Sequence, residues 1–125
     1  MSKRNGSLVA YSRKLVLGVC ATFAATAVPA LAGEAQGTIN FVQAGHGYTP
    51  ENAFVLVQVD GTRLYAPSCA TDARMAINPA TNAGKAMLAM LLSAKAAGQT
   101  VILYGTGNCQ LMGTEFESIS HMRVY

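Results

Sequence analysis

The chain has no tryptophan, only four prolines and only 12% charged residues, although 51% of it is hydrophobic. Each scarcity excludes something. Without tryptophan and with 7% aromatics, any surface that stacks on sugar rings must be assembled from tyrosine, phenylalanine or histidine. Three cysteines form no Cys-x-x-Cys pair, and His46 and His121 are the only histidines, so ligands for a metal site are not present at a fitting spacing. Ser68, Ser93, Ser118 and Ser120 occur without a Gly-x-Ser-x-Gly elbow, and two isolated histidines supply few bases. No catalytic set, no metal and no cofactor is expected, and the chain does not read as an enzyme. Gly105-Thr106-Gly107 lacks the lysine and the following helix of a phosphate loop and reads as a tight turn.

What is present begins with a leader. Lys3, Arg4, Arg13 and Lys14 precede an apolar run over residues 15–28 that ends in Pro29-Ala30-Leu31-Ala32. A basic start, an apolar middle and an Ala-x-Ala end make a secretory signal peptide. The expectation is cleavage after Ala32, leaving residues 33–125 as one secreted or periplasmic domain with no membrane anchor. The apolar run is shorter than the roughly 20 residues that span a bilayer. A lipid anchor at Cys20 would place the bulky Val19 where such sites need a small residue.

Removing the leader changes the electrostatics. Arg63, Arg74, Lys85, Lys95 and Arg123 face Glu34, Glu51, Asp60, Asp72, Glu115 and Glu117, five against six, a formal charge of −1. The pI near 8.9 therefore describes the leader. Without a basic stripe, nucleic acid is not an expected partner. The same cut removes Cys20 and leaves Cys69 and Cys109, an even pair in an oxidising compartment, which reads as a disulfide. Closing a loop of that length stabilises by roughly 4 kcal/mol on the chain-entropy model.

Periodicity predicts strands over residues 37–43, 53–60, 62–65, 73–77, 100–104 and 115–125, the last with a bulge. Residues 44–52 read as a loop that holds His46 between two glycines. In residues 53–60 both faces are apolar or nearly so, which predicts burial on both sides. Asp60-Gly61 reads as a hairpin turn. Asn78 caps and Pro79 starts a helix that runs to Ala97, where Gly98 stops it. Its core stripe reads as Ala83, Met87, Met90, Leu91 and Ala94. Leu88 and Leu92 extend the apolar surface beyond that stripe. They and Lys95 are candidates for a contact with a second copy of the chain.

One helix between a third and a fourth strand is the element order of the OB-fold. The expected fold is mainly β with one helix, a small five-stranded OB-like Greek-key barrel; the alternative is an open α+β sheet with the helix packed on it. The segments Asn78-Pro79-Ala80-Thr81-Asn82-Ala83-Gly84-Lys85-Ala86 and Tyr104-Gly105-Thr106-Gly107-Asn108-Cys109, with Cys69 and the acidic last strand, resemble small secreted bacterial proteins of unassigned activity. Residues 87–103 are more remotely similar to the B subunits of subtilase-cytotoxin-type and pertussis-like toxins. That resemblance implies an OB-fold, a homo-oligomer and recognition of a surface glycan.

Ligand-binding candidates are Tyr48, Tyr65 and Tyr104, whose phenols suit a half-wet site, and His46. The expected function is a noncatalytic binding module for a glycan or a surface molecule. The alternative is a monomeric adaptor or inhibitor that binds another protein.

Overall fold

The computed structural model describes residues 31–46, 52–111 and 115–125. In chain order the elements are β1 (Glu34–His46), β2 (Ala53–Asp60), β3 (Arg63–Leu64), β4 (Met75–Ile77), α1 (Asn82–Ala97), β5 (Thr100–Gly105) and β6 (Glu117–Val124). Among the described residues the protein is mainly β with a single helix, and six strands form one mixed sheet, where a five-stranded barrel was expected. The short β3 falls within the strand expected over residues 62–65, but the chain meets the β1 backbone at Gly61, and β3 pairs with β1 instead of returning along β2 as a hairpin at Asp60-Gly61 would require.

The pairings run from strand to strand and return to their start. β1 pairs with β2, β2 with β4, β4 with β6, β6 with β5 and β5 with β1. Only the β4–β6 step is parallel, and two residue pairs hold it, so the ring is not a clean barrel. β1 makes the closure possible by serving two neighbours in turn. Its first residues, Glu34 to Thr38, lie against β5, and from Thr38 to His46 it lies against β2. A register shift between Ile39 and Phe41 bends it between these partners. At the crossing, a Cβ on Gly37 would run into the Asp60 carbonyl, and one on Gly61 into the Gln36 carbonyl, so two glycines allow the backbones to meet.

β1 is longer than its alternation indicated. Ala44 to His46 are strand residues paired with Val55 to Ala53, so His46 sits at a strand end rather than in the glycine loop where it was expected. The regular pattern of β2 supplies a partner at each of these positions, and the pairing overrides the loop-like composition.

β2 is buried on both sides, as its sequence requires. Val55, Val57 and Val59 join Met75, Ile77 and Leu103 in the main core, closed by Leu91 and Ala94 of α1. Phe54 and Leu56 face the other way into a second cluster with Ala76 and Phe116.

The helix starts later than expected. Asn78 does not cap it: its side chain accepts from the Ala80 N–H at 2.9 Å and makes a local turn. Thr81 is the cap, its hydroxyl accepting from the Gly84 N–H at 2.9 Å. Gly98 ends the helix at φ 65°, as expected. The inward stripe is Gly84, Leu91 and Ala94 with Met87 and Leu88 half-buried. Ala83 is exposed and Met90 lies outward, 44% exposed, against the expected stripe. The turn over residues 78–81 sets that phase, because a Cβ on Gly84 would meet the Asn78 carbonyl and the helix can approach only on its glycine side. Among the described residues no helix is long and apolar enough to cross a membrane.

Candidate functional site

The ring leaves one broad polar face, and strand register decides what stands on it. Alternate residues of β1 point inward, with Ala35 and Ile39 buried, while Glu34, Gln36 and Thr38 point out. Pairing continues this outer set across the sheet. Leu64, Glu34, Tyr104 and His121 form one row over β3, β1, β5 and β6. Gln36 and Arg123 flank Ile102, which is buried, in the next row, and Thr38 and Thr100 form a third. A shallow depression of about 360 Å³ lies among them, lined by Glu34, Gln36, Gly37, Thr62, Leu64 and Thr100.

Beside the depression the rings of Tyr104 and His121 are stacked, with centroids 4.4 Å apart and planes 12° from parallel. The Arg123 guanidinium lies 5.5 Å from the Tyr104 ring centroid. Its hydrogen bond to Tyr125, with the nearby Tyr104, holds it above its ordinary pKa and fully cationic.

The β6 irregularity that positions His121 falls at Ser120, where the register shifts against Tyr104 and Gly105. The Ser120 hydroxyl is 3.0 Å from the Tyr104 carbonyl, 3.1 Å from the Gly105 carbonyl and 2.9 Å from Nδ1 of His121. A hydroxyl that donates its one proton to a carbonyl can still accept from a ring N–H, so all three contacts can form together. The Ser120–His121 contact thus orients a ring, with the serine engaged by its own backbone neighbours.

A second arginine stands over the other apolar cluster. Arg74 clamps Asp72 through Nε at 2.8 Å and a terminal nitrogen at 2.6 Å. Its guanidinium lies 4.9 Å from the Phe116 centroid and 5.7 Å from that of Phe41. The hydrogen bond from Arg74 lowers the Asp72 pKa from 3.8 to about 2.

A third charged group is inside. Glu117 is fully buried. Its Oε1 accepts from the N–H groups of Gly33 and Gly107, each at 2.8 Å, and its Oε2 from Arg63 at 2.7 Å. Arg63 also donates to the Asp72 carbonyl at 2.7 Å. The glycine turn after β5 therefore cradles an anion, the protein's own carboxylate. The disulfide joins the two loops concerned: Cys69 and Cys109 are bonded, with Cα atoms 6.1 Å apart.

Of the residues singled out from sequence, Tyr104 is on the polar face, but its ring is already stacked on His121. Tyr65 follows Leu64, is 63% exposed and holds a left-handed φ of 55°, unusual for a residue with a side chain. It shares the Glu34 end of β1 with Tyr104, while His46 is at the other end of that strand. Tyr48 lies outside the described residues. Leu88 is half-buried, Leu92 is 50% exposed, and Lys95 donates to the Ile39 carbonyl at 3.0 Å, which ties it to β1.

Sequence reasoning missed Glu34, Gln36 and Arg123, and it did not count His121 among the ligand-binding candidates. The usable signal was the irregular alternation of β6, which puts two consecutive residues, Ser120 and His121, on the surface. Among the described residues no cluster of three or more histidine, cysteine or acidic side chains could hold a metal ion. Compared with protein-family models, with curated proteins and with solved structures, the chain matches none.

Proposed function

We propose that residues 33–125 act after export as a noncatalytic binding module, and that the outer face of β3, β1, β5 and β6 recognises a glycan. The observation that carries this reading is the Tyr104–His121 stack beside the depression lined by Glu34, Gln36, Thr62 and Thr100. Sugars offer apolar ring faces edged by hydroxyls. An aromatic stack next to a carboxylate, an amide and two hydroxyls matches both features, and Arg123 adds a fixed donor. The strand ring, with one helix between β4 and β5, supports an OB-like Greek-key barrel as the scaffold. The disulfide supports an oxidising, extracytoplasmic destination.

The test is a glycan array with the purified exported protein, followed by calorimetry on the sugars retained. Gln36→Ala and Glu34→Ala are outward substitutions and should leave the unfolding temperature unchanged. Each is expected to weaken binding roughly three- to tenfold, the worth of one hydrogen bond. An array on which the wild-type protein retains no sugar would remove the glycan reading.

A second reading, contact with another protein, rests on the outer side of α1, where Met90 and Leu92 are about half exposed. Light scattering separates its two forms. A homo-oligomer buries Leu92 against a second copy, whereas an adaptor or inhibitor is monomeric alone.

A further inference from the structure

We infer that cleavage after Ala32 seats the new α-amino group of Gly33 on the buried Glu117 carboxylate, so that processing completes the ion cluster at that end of the ring. The inference rests on reading residues 1–32 as a signal peptide.

The geometry is specific to Gly33. Its N–H already donates to Glu117 Oε1 at 2.8 Å in a buried setting. Its carbonyl accepts from the Gly105 N–H at 2.7 Å, which fixes the residue from the other side. A Cβ on Gly33 or on Gly105 would run into the carboxylate oxygens, so a side chain at either position would displace Glu117. Immediately upstream, Ala32 is exposed and Leu31 is 65% exposed. The chain thus passes from solvent to a buried anion in one residue, at the bond that the leader pattern marks for hydrolysis.

A signal peptidase would use one water: hydroxide goes to the Ala32 carbonyl carbon, the Ala32–Gly33 bond breaks, and the Gly33 nitrogen takes up protons. A neutral amide N–H becomes an ammonium with three donors. One donor retains Oε1, and the other two point to the side opened to water by loss of Ala32. The charged groups around it are Glu117 from β6, Arg63 from β3 and Glu34, the next residue on β1. Gly107 contributes only backbone. Arg63 engages Oε2, so the two cations bind different oxygens of one carboxylate.

Pairing raises the folded pKa of the amine above its ordinary value of about 7.7–8.0. The stabilisation is then fully present below that value and is lost as pH rises through the folded pKa.

The experiment begins with N-terminal sequencing of the exported full chain. Gly33 first is the expected result; another first residue overturns the signal-peptide reading and the inference with it. On the processed protein, the α-amine is titrated by NMR after isotopic labelling and challenged with an acylating reagent near pH 7.5. A pKa raised by one unit or more is expected, with acylation slowed about tenfold or more relative to the urea-unfolded chain. A protein exported with one alanine inserted before Gly33 keeps an amide at that position. It should fold, show an ordinary amine and unfold about 4–8 °C lower. A Gly33 amine with an ordinary pKa and unslowed acylation would overturn the inference while leaving the cleavage site standing.

Discussion

Two arginine–carboxylate pairs of nearly equal length stand at the two ends of the segment from β3 to β4, one from β3 and one in the loop just before β4. Arg63 meets Glu117 at 2.7 Å, and Arg74 meets Asp72 at 2.6 Å. Their surroundings have little in common. The Arg63 and Glu117 side chains are 12% and 0% exposed, against 29% and 28% for the Arg74 and Asp72 side chains. Arg63 and Glu117 are separated by 54 positions and gather β1, β3, β6 and the glycine turn; Arg74 and Asp72 are two residues apart. Distance alone therefore says little about worth. A pair this open to water gains little over its separately hydrated groups. A buried pair leaves an uncompensated charge when one member is removed. The inner pair is an assembly point for distant segments, and the outer one is a clamp on a local turn.

Breaking the inner pair should have the largest effect. Arg63→Met leaves Oε2 of Glu117 buried without its partner, with only the Gly33 nitrogen and the Gly107 N–H remaining on Oε1, and should lose about 3–5 kcal/mol in urea unfolding. A loss under about 1 kcal/mol would make the two pairs equivalent. Next is the disulfide, which links the loop that holds Asp72 to the turn that holds Gly107. The double variant Cys69→Ser, Cys109→Ser should lose about 2–4 kcal/mol. It should also speed exchange of the Gly107 amide, and unchanged exchange would show that the turn does not need the crosslink.

The outer pair gives the smallest effect. Asp72→Asn should lose about 1 kcal/mol or less near neutral pH. Because the folded pKa of Asp72 is lowered from 3.8 to about 2, its contribution is present above about 3.8 and disappears as pH falls towards 2. Unfolding midpoints of wild type and Asp72→Asn should therefore converge across that window; parallel curves would show that the clamp does not titrate with folding.

The same contrast separates what the sequence makes legible from what only the fold assembles. Local signals other than the Asp60-Gly61 hairpin, after which β3 pairs with β1 instead of returning along β2, were reliable: the two apolar faces of β2, Gly98 as a helix stop and the Cys69–Cys109 pairing. Each depends on residues close in sequence or, for the cysteines, on simple parity. The helix start was misplaced by a local competition: Asn78 and Thr81 are both good caps, and only the packing of Gly84 on the Asn78 carbonyl chooses between them. Arg63 and Glu117 gave no local sign of burial, since each sits in an unremarkable strand pattern and finds its partner through the ring. The polar face was legible only at Tyr104. Glu34, Gln36, His121 and Arg123 are assembled by the register of three strands, and nothing in any one segment records that register.

The central claim is that the buried Arg63–Glu117 pair couples the strands while Arg74–Asp72 does not. The most direct measurement is a pair of double-mutant cycles in urea unfolding, Arg63→Met with Glu117→Gln and Arg74→Met with Asp72→Asn. We predict a coupling energy above about 2 kcal/mol for the inner cycle and below about 0.5 kcal/mol for the outer. Equal couplings, or a larger one for the outer pair, would contradict the account.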